Sequence, residues 1–448
     1  MDPIVIVGGD AAGMSAASKF KRERPEREVV VFEKGEYVSY AACGMPYYVK
    51  GAVESLEDLL TVTPEQFIEE RGIDLRLHHE VVDIDPDARE VAVEGPDGHV
   101  TQSYDQLLVA TGAHAVVPPF EGMDLDGVFT MHSLPEAEAV RDYLAAEEPD
   151  AVSVVGGGYV GIEMAEAFDE HGVTVHLFEM LPHVMAPFGE TVAEAVEDHL
   201  RERGVDLHLN TAVERFVGDE AVTGVDVGDR VVDVDLALVG VGVAPNTDLA
   251  EAAGVDLGET GAVATDAYGR TNVDGVFAAG DVAEARNVVT GDPDHVPLAL
   301  TANRAGRAIG QTMAGDETPV GDIAGSAVVK AFDLTAARTG VIDEERASDA
   351  GFDPVSVTIT AASRAHYYPG AEDITITMFG DRESGRLLGA TMVGREGVAK
   401  RIDTVAAALH EGATVEDLSY YDLAYAPPYS PVWDPVLTAA KVLAGKLD

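Results

Sequence analysis

One thiol stands in the 448-residue chain: Cys43, within "SYAACGMPYYV". Gly44, Met45 and Pro46 follow it and read as a helix start, with proline near the first turn. A thiol at a helix N-terminus gains stabilisation of its thiolate, the form that attacks sulfur, so a lowered pKa is expected for Cys43. The competing reading is a buried cysteine acting as a small hydrophobe. Two further constellations accompany it. "PIVIVGGDAAGMSAA" (3–17) reads as an apolar strand, a glycine turn holding Gly8 and Gly13, and the start of a helix of small residues. The next strand, "EVVVFEKG", ends at Glu33, twenty residues beyond Gly13. "AVSVVGGGYVGIEMAEAF" (151–168) repeats the pattern with Gly156, Gly158 and Gly161, and "VTVHLFEM" ends at Glu179, eighteen residues beyond Gly161. Such a unit sets a pyrophosphate on the helix N-terminus and a ribose hydroxyl on the acid. A lone glycine motif is weak evidence. Two complete units 148 residues apart point to two dinucleotides. The first unit departs from the pattern at its middle glycine, where Asp10 stands; a carboxylate there does not help a phosphate, and residue types alone give no account of it.

The elements that must position these residues follow from pattern and composition. The length suggests about three domains, and an apolar fraction of 46% suffices for a sizeable core. "LLVATGAHA" (107–115) and "TNVDGVFAAGDVAE" (271–284) read as strands ending in Thr111-Gly112 and Gly280-Asp281. The expected fold class is α/β: two Rossmann-like dinucleotide-binding domains, the second inserted in the first, plus a C-terminal α+β domain. The boundaries are set at 1–115 with 245–322, 116–244, and 323–448. In the last unit, "ITITMFGD" and "LLGATMVG" read as strands before a helix over 396–411. No apolar run approaches the roughly 18 residues of a membrane span. The N-terminus has no basic leader, and one cysteine excludes an internal disulfide framework or a CxxC zinc site, so a reducing cytoplasm is expected. Eighty Asp and Glu against 30 Lys and Arg leave a net charge of −50, and only eight of the cations are lysine. That surface repels nucleic acid and anionic membranes, and it resembles proteins of high-salt cytoplasms, where screening removes self-repulsion.

These motifs together resemble the pyridine nucleotide–disulfide oxidoreductase family. "SYAACGMPYYV" resembles its single-cysteine branch of coenzyme A-disulfide reductases, NADH oxidases and NADH peroxidases. The second cysteine and the His-Pro-Thr…Glu base of two-cysteine members are missing. The resemblance implies FAD on the first unit, with Asp281 on the ribityl chain, and NADH or NADPH on the second. Lys34 and Gly242 complete the cofactor-binding set it implies. Glu179 disfavours a 2′-phosphate, and residues 180–200 hold no Lys or Arg before Leu200 to receive one, which favours NADH. Flavin and nicotinamide together mean hydride transfer.

The substrate is read from the basic residues and tyrosines. Lys19, Lys21, Arg22, Arg24 and Arg27 crowd into nine residues, which suits either a helix C-terminus or an anionic ligand. Ser15, Lys19 and Arg22 fall at i, i+4 and i+7 on one helix face. By resemblance these, with Ser39, Arg71 and Asn303, form a CoA-binding set. "HYYPGA" (366–371) and "LSYYDLAYAPPYSPVWDP" (418–435) hold six of the 14 tyrosines. Resemblance makes Tyr368, rather than Tyr367, and Tyr425 groups brought from the partner subunit of a homodimer to the cysteine. A phenol there can protonate a departing CoA thiolate. Oxidases and peroxidases of the branch resemble one another in placing a His in the first glycine turn; Ala11 stands at that place. The reading is therefore reduction of CoA disulfide through a Cys43–S–S–CoA mixed disulfide. An NADH oxidase cycling through a sulfenic acid and a ferredoxin-type reductase that needs no thiol are the alternatives.

Overall fold

A computed structural model describes residues 2–447. Its framework is three five-stranded sheets. The first runs Val276–Ala278, Gln106–Val109, Ile4–Val7, Val29–Phe32, Asp74–Arg76 in spatial order, all parallel. Ile4–Val7 and Val29–Phe32 are buried throughout, as strands covered on both faces require. The second sheet repeats the plan with Asp206–His208, Thr174–Phe178, Ala151–Val155, Leu236–Val239 and Val128–Thr130, again parallel. Each central strand delivers its chain into a glycine helix, Ala11–Glu23 in one unit and Tyr159–Glu170 in the other. Both glycine turns therefore open at the carboxyl ends of the strands, where ligands of such sheets bind. The chain passes between the two sheets over a two-stranded antiparallel ribbon, Ala113–Ala115 against Val243–Pro245.

The third sheet is antiparallel, in the order Ala327–Ala331, Leu334–Gly340, Leu387–Gly394, Asp373–Asp381, Pro354–Ala362. The helices Val398–His410 and Pro435–Leu447 pack on it. The two strands and the helix expected from the sequence in this unit are present.

Cys43 is the middle residue of a short 3₁₀ turn, Ala42–Gly44, and the helix Met45–Val49 follows, with Gly44 as its cap and Pro46 in its first turn. This thiol helix is held by a shared core. Met45, Tyr48 and Val49 join one apolar cluster with Ile162 and Phe168 of the second glycine helix and Val329 and Phe332 of the antiparallel sheet. Glu166 fastens the same three parts through charge. It is 5% exposed, and it accepts from Lys50 Nζ at 2.6 Å, from Lys330 Nζ, and from the Phe332 backbone N–H at 2.8 Å. Burial alone would raise its pKa; the bonds from the two lysines and Phe332 outweigh that and hold it below the usual carboxylate value.

Candidate functional site

The two glycine turns are built alike down to single bonds. A Cβ on Gly13 would lie 2.0 Å from the Gly8 carbonyl oxygen, and one on Gly161 1.9 Å from that of Gly156; only glycine permits those approaches. Glu33 accepts from the Gly9 and Gly35 N–H groups, each at 2.7 Å. Glu179 accepts from Gly157 and Leu181, each at 2.8 Å. Each acid thus braces its own turn and keeps lone pairs for a ribose hydroxyl. At Gly158 an added Cβ would meet nothing within 4 Å, so the backbone at the start of the second glycine helix is open to a phosphate. The residues present fit two dinucleotides.

The remaining cofactor candidates lie around these turns. Gly280 abuts the first glycine helix, where an added Cβ would stand 3.1 Å from that of Ala12. Burial lifts the Asp281 pKa, and His132 and His295 oppose the rise. Thr111 and Gly112 are locked to Asn246 across the ribbon: Thr111 Oγ1 donates to the Asn246 carbonyl at 2.8 Å, and Asn246 Nδ2 donates to Thr111's at 2.7 Å. Gly242 accepts from the Val116 N–H at 3.0 Å in the return crossing. Lys34 is exposed and touches neither turn through any hydrogen bond among the described residues.

Beside the first glycine helix lies a groove of ≈ 370 Å³ lined by Ser15, Ser18, Arg22, Ser39, Phe67, Arg71, Asn303, Arg304 and Arg307. Two helices meet to form it. Gly306 and Gly310 of the helix Ala299–Met313 face Ala12 and Ala16, and a Cβ on Gly306 would lie 2.1 Å from the Ala12 carbonyl oxygen. That close packing lets Ser15 Oγ donate to Asn303 Oδ1 at 2.6 Å. Arg71 donates to Ser18 Oγ at 2.7 Å and lies 4.7 Å from the centroid of the Phe67 ring. Five of the six substrate residues expected from the sequence share this groove. Lys19 does not. It is 8% exposed and paired with Glu23, one turn on, so the helix face in the groove is Ser15, Ser18 and Arg22. Arg304 and Arg307 were missed, although "NRAGRAIG" sets both one helical turn from Asn303 or each other. Among the described residues no carboxylate pairs with Arg22, Arg71, Arg304 or Arg307, in a chain with 80 acids.

Ser39 belongs to the groove and is four residues from Cys43. Cys43 is exposed, but protein atoms crowd its sulfur on one side. That desolvation, with the charges of Glu163, Asp281 and Asp10, pushes its pKa up, against its own backbone N–H. The lowered value expected from the helix N-terminus is thus corrected. The helix has only five residues, and burial of the sulfur, with the acids around it, outweighs the backbone N–H.

Glu163 is a residue that sequence reading overlooked. It lies on the second glycine helix and accepts from the Tyr47 hydroxyl at 3.1 Å. Burial pushes its pKa up to about 7, Tyr47 opposes and Glu166 adds to the rise. The Tyr47 phenol is pushed up to about 12, chiefly by burial and then by Glu163. Removing the Glu163 charge relieves the thiolate of its largest charge repulsion. Glu163→Gln is therefore expected to move the pH midpoint of Cys43 alkylation downward. Iodoacetamide labelling against pH reads this cleanly in a one-cysteine chain, and an unmoved midpoint would show the two groups to be independent.

The tyrosines stand apart. Tyr367 and Tyr425 bring their hydroxyls within 3.4 Å of each other, and Tyr368 instead lies under the Arg364 guanidinium at 5.7 Å. Tyr367, rather than Tyr368, is the companion of Tyr425. Neither bonds to the Cys43 segment within this chain, among the described residues. Tyr420 (81%), Tyr429 (79%) and Trp433 are exposed as well.

Comparison with known proteins agrees with this geometry. The family model "Pyridine nucleotide-disulphide oxidoreductase" matches residues 2–306, and that family's dimerisation domain matches 326–435. The chain is 42% identical over 441 residues to a protein of Pyrococcus abyssi named NAD(P)H sulfur oxidoreductase (CoA-dependent), covering 98% of each chain. It is 32% identical over 433 residues to a coenzyme A disulfide reductase of Staphylococcus aureus strain JH9, covering 96% of this chain and 97% of that one. Reduced Bacillus anthracis CoADR-RHD superposes with a TM-score of 0.96 at 33% identity, over 100% of this chain and 81% of that chain. With duplicated dinucleotide turns, a thiol between them and an antiparallel C-terminal sheet, the chain belongs to the pyridine nucleotide–disulphide oxidoreductases.

Proposed function

We propose that the protein is a homodimeric FAD enzyme that uses NADH to reduce CoA disulfide, with Cys43 as its redox thiol. FAD sits on the unit 1–115 and 245–322, the nicotinamide on 116–244, and 323–448 forms the dimer contact. The observation that carries the reading is the groove. Four arginines without acid partners among the described residues line one concavity of a chain with net charge −50, and Ser39 joins it to the Cys43 segment. A phosphate-rich ligand is the chemistry such a set recognises. The names of the Pyrococcus abyssi and Staphylococcus aureus relatives, both of which mention coenzyme A, support the same class.

Bound FAD would carry hydride equivalents from the nicotinamide to sulfur. The chain's own residues do the rest. Cys43 thiolate attacks one sulfur of CoA disulfide, so that Cys43–S–S–CoA forms and one CoA thiolate leaves. Two electrons and a proton from NADH then break the mixed disulfide, restoring the thiolate and releasing the second CoA. The raised thiol pKa makes Cys43 a strong nucleophile once ionised and a poor leaving group afterwards, which favours a resting mixed disulfide. Tyr368 and Tyr425, both partly exposed, would reach the thiol of the second subunit and protonate the departing CoA thiolate, with Tyr367, whose hydroxyl lies 3.4 Å from that of Tyr425, as the neighbouring alternative. Glu179, already bonded to its turn, suits a free ribose hydroxyl and not a 2′-phosphate, which favours NADH. The acidic surface suits a concentrated-salt cytoplasm; among the described residues no helix is long and apolar enough to cross a membrane.

The test is anaerobic oxidation of NADH and of NADPH in multimolar KCl, with CoA disulfide, CoA persulfide or no acceptor. Turnover with CoA disulfide and NADH bears the proposal out; oxidation only after air is admitted makes the protein an oxidase. The Pyrococcus abyssi name, a CoA-dependent sulfur oxidoreductase, favours a second reading in which the acceptor is a sulfur species other than CoA disulfide. CoA persulfide, which the same groove would hold and which would release hydrogen sulfide, tests it, and faster turnover with that acceptor would select it. In either case Arg304→Ala with Arg307→Ala is expected to raise the KM for the CoA substrate by about tenfold or more, since a charged hydrogen bond contributes about 1.5–3 kcal/mol. The kcat stays near the native value. Steady-state kinetics check it, and an unchanged KM would remove both arginines from the site.

A further inference from the structure

We propose that Asp10 is a positioning residue of the catalytic segment, tying the backbone that carries Ser39 and Cys43 to the first glycine turn through the Tyr40 N–H. The middle position of the second turn is Gly158, whose backbone lies open. At the matching place in the first turn, the Asp10 side chain makes no capping bond to the helix it precedes. Its Oδ1 accepts from the Tyr40 N–H at 3.2 Å. Next to that bond, the Ser39 N–H donates to the Gly9 carbonyl at 3.1 Å. Two successive residues of the segment are thus pinned to two successive residues of the turn. On its other side, the Thr61 N–H donates to the Ser39 carbonyl at 3.0 Å and the Ala41 N–H to that of Leu59 at 2.8 Å. Ser39 itself holds φ 51°, a left-handed backbone that a serine keeps only when neighbours enforce it. Asp10 supplies part of that enforcement.

The electrostatics fit the tether. Burial raises the Asp10 pKa, the N–H groups of Tyr40 and Ala11 oppose, and Glu33 and Asp281 add, leaving it pushed up to about 7. The Tyr40 phenol also feels this carboxyl: its own pKa is raised, first by burial and then by the Asp10 charge. Protonated or ionised, the group keeps an oxygen for the Tyr40 N–H. A carboxyl that is partly neutral near pH 7 also repels dinucleotide phosphate less than a full charge would. This answers the anomaly of an acid in a phosphate turn.

The inference rests on Cys43 as the reacting thiol, but its test does not need that. Deuterium exchange in peptides spanning 37–45 of the FAD-loaded protein reads the tether directly. Asp10→Ala is expected to speed exchange at the Tyr40 amide about tenfold or more, while Asp10→Asn, which keeps a carbonyl acceptor, restores native protection. CoA disulfide turnover should follow the same order, as a loss of kcat with the KM for NADH unchanged. Native exchange in Asp10→Ala overturns the proposal. An Asn variant as fast as the Ala variant overturns it too, because the role would then belong to the charge. If Asp10→Ala does not hold FAD, Asp10→Asn decides alone: native exchange supports the tether and faster exchange overturns it.

Discussion

Cys43→Ser is expected to fold, bind FAD and lose turnover with CoA disulfide by about a thousandfold or more. The exchange of sulfur for oxygen is nearly isosteric at an exposed position, so no cavity or overpacking follows. What disappears is the nucleophile, since a serine hydroxyl has no usable anion near neutral pH and forms no disulfide. No other cysteine can substitute, because the chain has none. The check is anaerobic oxidation of NADH at 340 nm with native and variant proteins of equal flavin content. Full turnover of the variant with an electron-carrier protein would instead select the thiol-independent, ferredoxin-type reading. Residual oxygen consumption equal to the native rate would show that oxygen reacts without the thiol.

The second large effect lies in the frame. Glu166→Ala is expected to destabilise the protein by about 3–5 kcal/mol, because it strands two lysine charges and an N–H around one buried position. Glu166→Gln, which keeps the shape and one acceptor, should cost less. Thermal unfolding in parallel samples checks this, with the ordering native, Gln, Ala as the expected result. The pH dependence has a definite sign. Glu166 has a folded pKa below its unfolded value, so its contribution is present above the unfolded value and fades as pH falls through the folded one. The gap between native and variant should therefore narrow in acid. A gap independent of pH would assign the loss to packing alone.

Much of the fold and part of the site could be read from the chain itself. Glycine turns that admit only glycine leave a mark at fixed spacing, and the acids at Glu33 and Glu179 close the same bonds in both units. Cys43 was legible because it is single and stands before a helix start. Its pKa was not, since the burial that raises it, and then the carboxyls of residues 163, 281 and 10, are assembled only by the folding of two sheets. The helical face was half legible. Ser15 and Arg22 lie in the groove, but Lys19 had Glu23 one turn away and took the nearer partner. Arg304 and Arg307 lie far along the chain, and the close contacts of Gly306 with Ala12 and of Gly310 with Ala16 show where their helix goes. Among the tyrosines, adjacent residues 367 and 368 point to different neighbours, a choice made by backbone geometry that composition does not record.

The four groove arginines, with no carboxylate partner among the described residues, have a consequence for how a polyanion finds this molecule. At long range an approaching CoA derivative meets a particle of charge −50, and the encounter is slowed. In salt near 1 M the Debye length shrinks to about 3 Å, so that far-field barrier vanishes while contacts inside the groove are still felt. Added salt should thus quicken capture of the anionic ligand before it weakens retention. Most proteins that bind anions show the reverse order, because their attraction reaches far into solution and is the first thing salt removes. Here the attraction is confined to one concavity, and the surrounding acid makes ionic strength a condition for entry.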